Sequence, residues 1–142
     1  MRYTLDTNII SEYLKGNKTI KEELSKLFLS GEKIYISGVV YYEIKRGLLH
    51  IDAKKQLSTF NELCKSFELL LLDNLIIFDK ASEIYADLKG RGLLVGDEQT
   101  GDNDIYIASL TIIRNLTLVT NNTKHFERIP NIEIKNWLEK SN

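Results

Sequence analysis

Met1-Arg2-Tyr3-Thr4-Leu5-Asp6-Thr7-Asn8-Ile9-Ile10-Ser11-Glu12 is the stretch on which the fold turns. A short apolar run, Tyr3 to Leu5, ends in an aspartate. Thr-Asn follows, and then apolar residues recur at helical spacing. The pattern reads as a strand with a carboxylate at its C-terminal end, running at once into a helix capped by Asn8. In an open α/β sheet, ligands bind at the carboxyl ends of the strands. Asp6 therefore has two readings at this point, a helix-capping acid or a metal or catalytic ligand.

The chain downstream repeats the alternation. Thr19-Ile20-Lys21-Glu22 has the capping-box pattern, and Ile20, Leu24, Leu27 and Phe28 follow at helical spacing up to Gly31. Lys33 to Ile36 predicts a second strand. Ser37 is placed to cap a helix over Gly38 to Leu49, with Val40, Ile44, Gly47 and Leu48 inward and Glu43 sharing that face. Asp52 opens a longer helix carrying Leu57, Phe60, Leu63, Cys64, Phe67, Leu70 and Leu71 on one side. Leu75 to Phe78 predicts a third strand, and Asp79 caps a helix over Lys80 to Lys89.

Leu93 to Gly101 reads as an irregular loop bearing Asp97 and Glu98. Asp102-Asn103-Asp104 leads into Ile105 to Ile113, apolar nearly all round and so expected to be a buried helix, with Asp102 as its cap. Leu116 to Val119 is the fourth strand, ending in Thr120-Asn121-Asn122. A helical turn near Lys124 to Glu127, an edge strand Ile132 to Ile134 and a terminal turn docking Trp137 complete the chain. Strands alternating with helices call for parallel strands and crossover connections. The expected class is α/β, a three-layer α/β/α sandwich with a mostly parallel central sheet of four to five strands.

Composition bounds the rest. The 142 residues suit one domain, 1–142, with a sizeable core. Hydrophobic content of 43% and charged content of 27% are ordinary for a globular chain, which excludes a disordered one. A net charge of −1 supplies no bulk electrostatic footprint for nucleic acid, though it leaves room for a local basic patch. One cysteine, Cys64, excludes an intrachain disulfide, and its place on an apolar helix face suits packing better than redox chemistry. No signal-peptide pattern and no bilayer-length apolar run are present, so a cytoplasmic protein with no membrane partner is expected.

Four polar positions share one logic. Asp6 follows the first strand, Glu43 sits on an inward helix face, Asp104 begins the buried helix, and Asn122 follows the fourth strand. In a doubly wound sheet all four can converge on the carboxyl edge. A lone carboxylate facing a core is costly, and converging carboxylates repel one another. A hard divalent ion relieves both penalties, because Mg²⁺ takes oxygen ligands and is commonly held by one or two carboxylates. The chemistry that follows is hydrolysis of a phosphate ester. The plainer readings stay open here: Asp104 as a first-turn acid, Glu43 paired with Lys45 or Arg46, Asn122 as a turn residue.

These residues resemble a known family. Leu5-Asp6-Thr7-Asn8-Ile9-Ile10 is similar to the opening of PIN-domain proteins. Ile36-Ser37 through Tyr42-Glu43-Ile44 resembles their second acidic motif, Gly101-Asp102-Asn103-Asp104 with Ile107-Ala108 the third, and Leu118 to Phe126 the fourth. All four stand in the right order and span nearly the whole chain. The small size is most similar to VapC-type toxins of bacterial toxin–antitoxin pairs. The resemblance implies an endoribonuclease that uses Mg²⁺ or Mn²⁺, with Asp6, Glu43 and Asp104 as its acidic cluster and Asp6 and Asp104 as direct ligands. It also implies an RNA substrate, a homodimer, and a cognate antitoxin whose C-terminal segment occupies the active-site groove. Two departures stand out. The fourth position is Asn122, where an acid is frequent, so coordination there would be through a carbonyl or a water. The loop with Asp97 and Glu98 is long.

Two other readings compete. One is a non-catalytic PIN-fold module that binds RNA or a partner. The other is a phosphatase of the haloacid dehalogenase type, which needs a second aspartate where this chain has Asn8. A covalent serine or cysteine hydrolase finds no support, since neither His50 nor His125 belongs to a nucleophile motif. Lys15, Lys45, Arg46 and Lys124 are the candidate phosphate contacts, and Thr7, Asn8 and Thr120 the residues expected to orient the acids.

Overall fold

The computed structural model describes residues 1–94 and 101–139. In chain order the elements are β1 (Tyr3–Leu5), α1 (Thr7–Leu14), α2 (Lys18–Leu29), β2 (Ile34–Ser37), α3 (Gly38–His50), α4 (Lys54–Cys64), β3 (Glu68–Leu70), α5 (Leu75–Gly90), α6 (Asp102–Ile113), β4 (Thr117–Val119), α7 (Thr123–Phe126) and β5 (Glu133–Lys135). The five strands form one sheet in the order β3-β2-β1-β4-β5, and every pair is parallel. The α/β/α sandwich and its parallel sheet are thus as expected from the sequence. Strand order reverses at β1, whose neighbours are β2 and β4. A crevice opens at such a switch point beyond the carboxyl ends of the strands. Register places Leu5 beside Val119, so Asp6 and Thr120 are the first residues past the sheet on adjacent strands.

The third strand is where the expectation fails. Leu75 to Phe78 is not a strand but the first turn of α5. Asn74 stands in extended conformation and its side-chain oxygen accepts from the Ile76 amide, which starts a helix there. Ile77, Ala81, Ile84 and Leu88 then fall at helical spacing and are buried, while Leu75 and Ile76 are exposed. The third strand is Glu68–Leu70, which lies at the sheet edge and buries only Leu70. The apolar face expected of the preceding helix runs on through this segment, but the helix ends at Cys64.

Several helix boundaries also shift for capping reasons. The N-cap of α1 is Asp6, not Asn8, and that of α2 is Asn17, not Thr19. Gly101 rather than Asp102 occupies the N-cap position of α6, which makes Asp102 the first helical residue. Asp52 does not open α4. It closes α3, at φ 53°, with its amide on the Leu49 carbonyl and the next amide, Ala53, on Leu48. That is the Schellman pattern, with aspartate tolerating the left-handed conformation that glycine usually supplies. Asn115 (φ 56°) ends α6 in the same way and turns the chain into β4. Ser37 caps α3 as expected, its hydroxyl accepting from the Val40 amide at 3.1 Å.

Helix α6 is buried over Ile105 and Ile107 to Thr111, as its apolar character predicts. Its two buried hydroxyls are spent internally. Ser109 donates to the Ile77 carbonyl of α5, and Thr111 donates to the Ile107 carbonyl one turn back. The first of these ties α5 to α6 and fixes where the N-terminus of α6, with Asp104, sits. Val40, Ile44 and Leu48 hold α3 to the core, whereas Gly47 is exposed rather than inward. Trp137 is buried and packs on Tyr3, with ring centroids 6.2 Å apart, so the terminal turn is docked on β1. Among the described residues no helix is long and apolar enough to cross a membrane.

Candidate active site

Asp6 lies at the C-terminal end of β1 and is only 5% exposed. Capping and site geometry turn out to be the same act. Oδ1 accepts from the Thr7 amide at 2.8 Å, while Oδ2 accepts from Asn8 Nδ2 at 3.1 Å and from the Thr120 hydroxyl at 2.8 Å. Asn8, displaced from the capping role, uses its oxygen to accept the Asn121 amide at 3.2 Å. The Thr120 hydroxyl accepts in turn from the Asn122 amide at 3.0 Å. One short network therefore staples the end of β1 to the end of β4 around a single carboxylate. Burial pushes the Asp6 carboxyl above its ordinary value. The Thr120 and Thr7 hydrogen bonds oppose that, the neighbouring Glu43 charge adds to it, and Asn8 opposes it.

Glu43 reaches this group from α3. It pairs with neither Lys45 nor Arg46. Its Oε1 accepts from the Thr7 hydroxyl at 3.0 Å. Thr7 thus serves both acids, by its amide to Asp6 and by its hydroxyl to Glu43. A mostly apolar groove opens beside them, walled by Leu14, Ile44, Leu48 and Ile51 with Thr7 and Glu43 at one end.

Asp104 occupies the first turn of α6, where an acid is favoured by the helix dipole. Its Oδ2 lies 3.1 Å from Nε2 of the buried His125 on α7. Asn122 is the N-cap residue of α7, three positions before His125, but its side chain makes no capping bond. So Asp6 and Glu43 meet through Thr7, and the backbone amide of Asn122, not its side chain, joins Asp6 through Thr120. Asp104 reaches the same sheet edge from α6, linked to α7 by the histidine. His125 lies inside the fourth motif, Leu118 to Phe126, although no site role is expected of it there. Its position three residues past Asn122, in a helical turn, is the local signal that puts it beside the site.

The cations around the site are mostly engaged. Lys45 donates to the Tyr41 hydroxyl at 2.9 Å and to Asn61 at 3.2 Å, Arg46 lies over the Tyr42 ring at 5.0 Å, and Lys15 is 3.8 Å from Glu12. Lys124 is exposed. Asp97 and Glu98 lie outside the described residues. Cys64 packs against the core with its thiol pushed up by burial, Lys45 partly offsetting this, which suits packing rather than nucleophilic chemistry.

The donors suit a hard cation. Asp6, Glu43, Asp104 and Asn122 offer only oxygen, and a positive ion would relieve the penalty that burial and the Glu43 charge place on Asp6. Among the described residues no three His, Cys, Asp or Glu side chains stand close enough to form a cage unaided. Mg²⁺ does not require one, because it keeps several waters and takes one or two carboxylates.

The PIN domain family matches this chain over residues 3–132. The chain belongs to the PIN domain family. Among PIN-domain proteins it is similar to the ribonuclease VapC1 of Methanocaldococcus jannaschii, 37% identical over 92% of this chain and 83% of that one. It is 32% identical to the ribonuclease VapC2 of Rickettsia felis, over 96% of this chain and 98% of the relative. In structure it is similar to a chain of VapBC2 from Rickettsia felis bound to a DNA fragment from their promoter. The TM-score is 0.85 at 31% identity, covering 96% of this chain and 99% of that one. The VapC-type PIN resemblance read from the four motifs is therefore correct.

Proposed function

We propose that this PIN-domain chain is an endoribonuclease that depends on Mg²⁺, with Mn²⁺ able to replace it, and that it is the toxin of a toxin–antitoxin pair. One observation carries the reading: a carboxylate buried at energetic cost at the switch point of the sheet, with a second acid one hydroxyl away. A binding module has less use for that arrangement, since burial and the Glu43 charge penalise the Asp6 carboxylate and its capping and hydrogen bonds offset this only in part. Asp6 and Asp104 are the direct ligands in this reading, Glu43 completes the acidic shell, and Asn122 contributes its carbonyl. When bound, the divalent ion supplies Lewis acidity and charge stabilisation at the RNA phosphodiester.

The chain's own residues do the rest. The Thr7 amide, Asn8 and Thr120 hold the Asp6 carboxylate in one orientation, and Thr7 presents Glu43 beside it. Glu43 is the acid placed to take a proton from the attacking water. Lys124 is the exposed cation available to an RNA phosphate. The relatives named above carry the ribonuclease name, and the Rickettsia felis structure is of a VapBC pair on promoter DNA. By that likeness the partner is a cognate antitoxin, with the groove beside Glu43 as the seat for its C-terminal segment. A homodimer acting in the cytoplasm, formed from a single domain over 1–142, fits the same likeness.

The deciding experiment is cleavage of labelled RNA by the purified protein with Mg²⁺, with chelator, and with Asp6→Asn. Cleavage that needs the ion and the aspartate is the expected result. Cleavage that persists in Asp6→Asn sinks the mechanism. No metal-dependent cleavage of any RNA by the wild type, together with no heat on titrating Mg²⁺ or Mn²⁺, returns the chain to a binding module.

A further inference from the structure

His125 is buried, 7% exposed, beside Asp104, and the proposed chemistry leaves it without a task. Its ring is held edge-on against Phe126 at 5.6 Å. One ring nitrogen, Nε2, lies 3.1 Å from Asp104 Oδ2, and the other, Nδ1, lies 3.0 Å from Arg128 Nη2. A guanidinium only donates hydrogen bonds and is not deprotonated in proteins. Nδ1 must therefore carry the lone pair. The ring proton is then on Nε2, on the side of the carboxylate. The Nε2–Asp104 contact is a close polar approach that falls short of hydrogen-bond geometry.

Arg128 is itself fixed. Its Nε donates to the His125 carbonyl at 3.1 Å and its Nη1 to the Leu93 carbonyl at 3.4 Å. Its own carbonyl accepts from Arg91, which is paired with Asp87 at the end of α5. The ring is thus gripped from behind by an arginine anchored to α7 and to the turn that follows α5, and faces an acid in front. A carboxylate that ligates a metal is itself held by side chains behind it, and His125 stands in that place behind Asp104.

We propose that His125, set as its Nε2–H tautomer by Arg128, is the positioning residue for Asp104. It holds the Asp104 carboxylate at the angle the acidic site needs. The inference rests on the reading of that site as a divalent-metal centre. In this chain the fourth position, Asn122, brings no charge, and the segment that carries it contributes instead through the histidine one turn later. His125 touches neither substrate nor ion in this role. It acts through Asp104.

Two measurements test it. The tautomer is read in the metal-free protein by ¹⁵N–¹H NMR of the imidazole. Nε2–H is expected, with Nδ1 unprotonated, and Arg128→Met should release the ring to a mixture. A ring protonated on Nδ1 in the wild type overturns the proposal. Mn²⁺ affinity is then titrated by electron paramagnetic resonance for wild type, His125→Ala and His125→Gln. The alanine variant should bind on the order of 10–100-fold more weakly. Glutamine, which keeps an N–H at similar reach, should recover part of the loss, a rescue that a purely packing role does not produce. Equal affinity in all three overturns the proposal. If His125→Ala does not fold, His125→Gln against His125→Leu carries the same comparison. If the wild type binds no Mn²⁺, the metal-centre reading falls, and the tautomer alone upholds or overturns the Arg128–His125 grip.

Discussion

Asp6 and Asp104, the two direct ligands of the proposed metal centre, are held by opposite means. Asp6 ends a strand and is fixed by what the backbone brings to it. Two of its three donors, the Thr7 amide and Asn8, are its immediate neighbours, and the third, Thr120, is delivered by the register of β1 on β4. Asp104 begins a helix, and its partner His125 comes from a separate short helix 21 positions on. The strand-end acid is buried and its carboxyl is pushed up. The helix-end acid is partly open, with 22% of its side chain exposed. A carboxylate at a sheet edge can thus be oriented by local sequence plus pairing. A carboxylate on a helix needs a side chain sent from elsewhere.

That contrast can be broken experimentally. The largest effect is expected from the acids themselves. Asp6→Asn and Asp104→Asn should each lower RNA cleavage at least about a hundredfold, as when other groups that stabilise transition-state charge are removed. Single-turnover cleavage measures this, and an Asp104→Asn variant at wild-type rate would break the equivalence of the two acids. Next, saturating Mg²⁺ should stabilise the wild type by about 2.7 kcal/mol at a hundredfold excess over its Kd, and Asp6→Asn should gain far less. Thermal melting with and without the ion decides it.

A smaller effect sharpens the strand-end half alone. Thr120→Val removes the hydroxyl donor from Asp6 Oδ2, at 2.8 Å its shortest bond, and should cost about 1–3 kcal/mol in urea unfolding, while Thr120→Ser should cost much less. No difference between the two would mean that the hydroxyl does not hold the acid.

The smallest effect is a pH dependence. The unfolded Asp6 carboxyl titrates near 3.8 and the folded one above it, so the folded chain binds this proton more tightly. Below 3.8 both states are protonated and Asp6 adds no difference. As pH rises through the raised folded value, ionisation costs stability, and that cost persists at neutral pH. Metal-free wild type should therefore lose stability relative to Asp6→Asn between about pH 4 and neutrality. An unchanging difference across that range would show that Asp6 ionises without penalty.

Much of this was legible from the chain. The first strand, the capped helix after the second, the buried helix behind Asp104 and the order of the four acidic motifs were all readable, because each is signalled by residues close together in sequence. Errors clustered where a short apolar run suits two structures. Leu75-Ile76-Ile77-Phe78 has strand composition, yet the Asn74 cap and the spacing from Ile77 to Leu88 make it helical. Glu68-Leu69-Leu70 is an edge strand with one buried residue, too little periodicity to separate it from the helix before it. Asp52 differs from expectation for a related reason: an aspartate next to a helix signals a start, whereas here it ends one by adopting φ 53°.

The sequence by itself determined the alternation of strands and helices, the acids at element ends, and the family to which the chain belongs. Those properties follow from local patterns of apolar spacing, capping residues and short motifs. Only the tertiary structure decided that Thr7 serves two acids at once, that Thr120 joins β4 to Asp6, and that Arg128 and His125 stand behind Asp104. Each is a contact between side chains whose separation is set by strand register and helix packing. A hydrogen bond distinguishes 3 Å from 5 Å, and no pattern along a chain carries that distance.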